Sequence, residues 1–122
     1  MQHVNKVLPE AFYQDLDPGI RFAVRVLHAN GFETCQSCQG GKDHSYIEPT
    51  VDMVAGGFGD AAGMEVLGPL TSYGLQVSNI ALVWSIDQGL PYEKLWRITF
   101  CASMESRADE KPNPVWSYQL QE

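Results

Sequence analysis

Residues 35–44 read Cys-Gln-Ser-Cys-Gln-Gly-Gly-Lys-Asp-His and hold the densest set of chemically capable side chains in the chain. Adjacent glycines, Gly40 and Gly41, let neighbouring backbone N–H groups converge into a nest for a phosphate or carboxylate. Ser37 can add a hydroxyl donor, while Lys42 and His44 can add charge-assisted hydrogen bonds. Ser37, Cys38, Gly40, Gly41, Lys42 and His44 are thus the candidate ligand-binding residues. Arg97, between Trp96 and Ile98, joins them as a guanidinium able to clamp a phosphate or to pair across a dimer interface.

The thiols open other chemistries. Cys35-x-x-Cys38 with His44 offers thiolate and imidazole ligands of the kind zinc takes, but a tetrahedral site needs a fourth ligand, from His28 or Cys101. Cys38 with His44 could also form a nucleophile pair, although no orienting carboxylate can be named for it. Redox exchange between Cys35 and Cys38 lacks the following helix that would lower a thiol pKa. Asp43, Glu48, Asp52 and Asp60 are scattered through loop and strand, so they form no hydrolytic dyad and read as solvating or capping groups. The sequence therefore leads us to expect binding without a cofactor, with a cysteine- or zinc-dependent enzyme as an alternative.

Composition narrows the partners. The chain has 122 residues, 44% hydrophobic, enough for one domain with one core, residues 1–16 forming an N-terminal extension and 107–122 a tail. Fifteen acidic against eight basic side chains give a net charge of −7, which argues against a nucleic-acid polymer as partner. Charged residues or glycine interrupt every apolar run, so no membrane span is expected. The N-terminus lacks the basic-then-apolar order of a signal peptide, and we expect a cytoplasmic protein. Three cysteines, an odd number, do not suggest a disulfide framework.

The elements that must position these residues follow from periodicity. Asp17-Pro18-Gly19 supplies an N-cap and a proline at the first helical position, and Asn30-Gly31 supplies a stop. Between them Ile20, Ala23, Val24, Leu27 and His28 form an amphipathic stripe, predicting a helix over 18–29. A short strand is expected over 32–36, the polar loop from Ser37 to Glu48, and a second strand over 50–55. Asp60, Ala61, Met64, Leu67 and Leu70 suggest a second helix, and strands follow over 79–87 and 95–102 with a loop at 88–93. The order is an α-β-β unit used twice. It predicts an α+β fold, a four-stranded, mainly antiparallel sheet with two helices on one face. The other face would carry Arg97, Thr99 and Cys101, with Glu33, Cys35 and Asp52, and would be covered by a ligand or a further copy of the chain. Trp84 and Trp96 share their phase with aliphatic neighbours and are expected in the core, whereas Trp116 and Tyr118 suit an interface.

Asp17-Pro18-Gly19-Ile20-Arg21, Gly31-Phe32-Glu33-Thr34, Ser37-Cys38-Gln39-Gly40-Gly41, His44 and Pro49-Thr50-Val51 together resemble a family of small uncharacterised phage and prophage proteins. The likeness extends to the Trp84 and Trp96 strands. It implies a phage accessory protein acting in the host cytoplasm, a group that includes inhibitors of host defence. A weaker likeness, on Thr34, Ser37, Cys38 and Gly40, is to the tRNA wybutosine-synthesising methyltransferase-like fold; Gly41 stands where that family has a basic residue. The resulting expectation is an oligomer that binds a small anionic, nucleotide-like ligand through Ser37–His44. The alternative from another class is an inhibitor that binds a host protein through its acidic surface.

Overall fold

Pro18 and Gly31 bracket the helix on which the rest of the molecule is built. The computed structural model describes residues 6–43, 46–54 and 65–112. In it a short helix α1, Glu10–Gln14, precedes the main helix α2, Pro18–Ala29, whose bounds are those the sequence predicts. Asp17 accepts the N–H groups of Ile20 and Arg21 through its backbone carbonyl, but its side chain forms no cap. The expected side-chain cap is absent, and the N–H of Gly19 goes instead to Gln39 Oε1 at 3.0 Å. At the far end Gly31 takes φ 88°, its N–H donates to the His28 carbonyl, and the Phe32 N–H donates to Leu27. This doubly bonded stop drops Phe32 into the core at 1% exposure.

Phe32 therefore completes the helix end and does not begin a strand. The first strand, β1, is Gln36–Cys38, later than the expected 32–36, and it takes Ser37 and Cys38 out of the predicted loop. Strand β2 is Thr50–Val54. A helix α3, Leu67–Ser72, buries Leu70 and carries Pro69 in its first turn, where a missing N–H costs nothing. Asp60, Ala61 and Met64 lie outside the described residues, as do Trp116 and Tyr118.

Strands β3, Val77–Asp87, and β4, Leu90–Phe100, are longer than predicted. Only Gln88 and Gly89 join them, both at positive φ, so the expected six-residue loop is a two-residue hairpin turn whose twist suits the strands. The four strands form one antiparallel sheet in the order β1-β2-β4-β3. The α+β architecture and antiparallel sheet are those expected from the repeated α-β-β order.

Ile98 and Phe100 of β4, Val51 and Met53 of β2 and the apolar residues of α2 meet in one core with Tyr13, Phe32 and Leu70. Helix α2 is buried on all sides from Gly19 to Ala29, not only along its apolar stripe. Glu10 of α1 takes Arg25 in a bidentate pair at 2.9 and 2.6 Å, and the Arg25 guanidinium lies 4.7 Å from the centre of the Tyr13 ring. The N-terminal extension thus contributes to the core through Tyr13. Trp96 packs against the core as expected, but Trp84 is 59% exposed. Its phase is the core phase, yet it stands opposite Lys94, past the last β2–β4 pair at Leu95, in the outer half of the hairpin.

Candidate functional site

Register brings the predicted site residues to one corner of the sheet. Gln36 stands opposite Asp52, Ser37 opposite Val51 and Cys38 opposite Thr50, while Asp52 faces Arg97 on its other side. Asp52, only 1% exposed, accepts Arg97 Nε at 2.9 Å and Nη2 at 3.0 Å. The Tyr46 ring centre lies 5.1 Å from the Arg97 guanidinium carbon. Hydrogen bonding to Asp52 raises the Arg97 pKa above its ordinary value, so the guanidinium is held charged. A cleft of about 170 Å³ opens beside this pair, lined by Gln36, Ser37, Cys38, Tyr46, Thr50 and Asp52. Thr50 Oγ1 donates to the Glu48 carbonyl at 2.9 Å, which leaves its lone pairs to accept.

The second sheet face is less open than the sequence suggests. Thr50, Asp52 and Leu95 on it are buried. Arg97 forms its bidentate pair within the chain, with Asp52. Its Nη1 takes no part in that pair. Cys101 is exposed beyond the end of β4, and Cys35 is exposed ahead of β1.

Past Cys38 the chain turns on Gly40 and Gly41, at φ 81° and 127°. A Cβ on Gly40 would stand 2.6 Å from the Ile47 carbonyl oxygen, so backbone proximity as well as φ requires glycine there. The Gly40 N–H donates to Cys38 Sγ at 3.4 Å and the Gly41 N–H to the Ile47 carbonyl at 2.9 Å. These bonds engage both N–H groups that a backbone nest would use. Lys42 is exposed, and His44 lies outside the described residues. Gln39, reaching to the start of α2, ties this turn to the main helix.

Among the described residues no three His, Cys, Asp or Glu side chains gather as a metal site. His28, a possible fourth zinc ligand, has both ring nitrogens engaged: Nδ1 lies 2.8 Å from Tyr13 Oη and Nε2 lies 3.0 Å from Thr34 Oγ1. Tyr13 Oη accepts the Leu8 N–H, and all the contacts are satisfied by the neutral tautomer in which the Tyr13 hydroxyl donates to Nδ1 and Nε2 donates to Thr34 Oγ1. Burial pushes the His28 pKa down to about 4, partly offset by Glu33. A second cleft, about 390 Å³, lies beside it and is lined by Lys6, Val7, Leu8, Phe12, His28, Glu33 and Thr34.

Sequence reasoning placed Asp52 and Arg97 on one sheet face but assigned them no partnership. Their shared strand parity was the signal, and the register that sets them opposite each other was not readable. Tyr46 sat unremarked in the polar loop, and the Tyr13–His28–Thr34 relay had no sequence signature. Among the described residues no helix is long and apolar enough to cross a membrane. Comparison of the chain with protein-family models, curated proteins and solved structures gives no match.

Proposed function

We propose that the protein binds a small anionic, nucleotide-like ligand at the β1–β2 corner, with the Ser37–His44 segment and Arg97 as its polar wall. The observation that carries this reading is the Arg97 guanidinium, set between the Tyr46 ring and buried Asp52 beside a polar cleft. Asp52 fixes the orientation of the guanidinium before any ligand arrives, and such preorganisation lowers the entropic cost of binding. Because Asp52 also neutralises Arg97, the ligand needs further donors: Ser37, which lines the cleft, and Lys42, exposed four residues beyond the end of β1, are the ones this proposal assigns. Tyr46 offers a ring against which a planar base can pack. The resemblance to small phage proteins supports a role in the host cytoplasm, where sequestering a signalling nucleotide would blunt a defence response.

Titration calorimetry against a panel of cyclic and linear nucleotides tests this. At least one should release heat with wild-type protein, and Lys42→Ala with Ser37→Ala should weaken it by roughly tenfold or more, the loss of one charge-assisted bond. Cys38→Ser keeps an acceptor for the Gly40 N–H and should still bind, since the reading asks no thiol chemistry of this residue. No heat with any member of the panel, from protein shown by circular dichroism to be folded, would overturn the proposal.

A further inference from the structure

The two edges of the sheet are unequal. β1 ends one side with three residues, while β3 ends the other with eleven. Edge strands present unpaired backbone donors and acceptors, and proteins ordinarily blunt them with lysine, proline, bulges or a covering element. β3 has neither proline nor a charged side chain before Asp87. The β3–β4 register shifts twice, between Val77 and Asn79 and between Ser85 and Ile86; the second shift skips Tyr92 on β4, so β3 itself carries no extra residue from Asn79 to Asp87 and its side chains alternate along that run. On one face of that run stand Ile80, Leu82, Trp84 and Ile86, the last three 41%, 59% and 59% exposed.

We propose that a second copy of this chain pairs antiparallel along β3, joining two four-stranded sheets into one of eight strands. The run from Asn79 to Asp87 has its midpoint at Val83, and a two-fold axis there sets Val83 against the partner's Val83. Leu82 then faces the partner's Trp84, and Ile80 faces the partner's Ile86. The apolar row matches itself residue for residue, as an isologous interface requires. Asp87 meets the partner's Asn79 and not another carboxylate. Charge singles out the same strand: two chains of net charge −7 repel, and this uncharged edge is where close approach brings no like-charge contact. The arrangement is independent of the ligand reading.

Sedimentation velocity and native mass spectrometry of the full chain test it. Wild type should show twice the chain mass of 13.6 kDa. Trp84→Lys, at an exposed position, should weaken self-association by roughly tenfold or more with an unchanged circular dichroism spectrum. Val83→Cys places two thiols across the axis and should give a disulfide-linked dimer on mild oxidation. Ala81→Cys, which faces the partner's Ser85, should crosslink no more than wild type does. A wild-type chain that stays monomeric at high concentration overturns the proposal. So does a dimer that survives Trp84→Lys without crosslinking at Val83→Cys, or a β3 edge found occupied by a different protein.

Discussion

His28 is hydrogen-bonded to two separate parts of the chain, Tyr13 in α1 and Thr34 ahead of β1, and this makes one side chain responsible for holding three segments together. The arrangement suits the neutral imidazole, because an added proton would turn Nδ1 from acceptor to donor against the Tyr13 hydroxyl. Desolvation holds the folded-state pKa at about 4, against 6.5 for the free side chain. A histidine with a depressed folded-state pKa contributes stability that is fully present above pH 6.5 and is lost as pH falls towards 4. The loss reaches about 3 kcal/mol, at ~1.4 kcal/mol per pH unit. We expect the urea midpoint to fall across that window in wild type. His28→Gln should be less stable at neutral pH, with a flatter profile between the same limits; a wild-type midpoint constant over this range would contradict the assignment. Glu10, hydrogen-bonded by Arg25 and held at about 2, extends the acid sensitivity below pH 4.5.

Among the elements, α2 is constrained most tightly at its first turn. A Cβ on Gly19 would stand 2.6 Å from Ser103 Oγ and 2.7 Å from Gln39 Cβ. Gly19→Ala should therefore destabilise the protein by about 1–3 kcal/mol in urea denaturation, although alanine is the better helix former. A gain in stability would show that the two neighbouring segments shift at little cost. The ends of α2 were legible in the sequence because proline and glycine act locally, and β3 and β4 were legible from alternation. α1 was not, since five residues behind Pro9 are too short to show a period. The start of β1 was hidden because Phe32 reads equally as a strand residue and as the apolar contact that closes a helix. Trp84 shows the limit of phase: alternation assigns a face, but whether anything covers that face depends on what packs over it. At the site, types and spacing pointed to Ser37, Cys38 and Arg97, while their convergence with Asp52 and Tyr46 depended on register across more than forty residues of sequence.

For the whole molecule, net charge and the β3 edge act in opposite directions. Repulsion between two chains of charge −7 is long-ranged and screened by salt, whereas strand pairing is short-ranged and is not. Raising ionic strength should accordingly tighten the dimer, measured as a fall in its dissociation constant by sedimentation equilibrium. Weakening with salt would mean that opposite charges meet at the interface, contrary to an uncharged edge. The turn at Gln88 and Gly89 adds a matter of timing. It joins β3 and β4 through two residues, while β2 must find β4 across the span from Thr50 to Thr99. Loop closure favours the nearer contact, and hairpins form in about 1–10 μs. The strand that pairs with a second copy is thus assembled before its own sheet is complete. Until β2 arrives the β4 edge of the hairpin is open as well, and in a concentrated solution of refolding chains a neighbour can take the edge that native β2 must occupy, so the tightness of one turn makes the route to the folded state depend on how crowded it is.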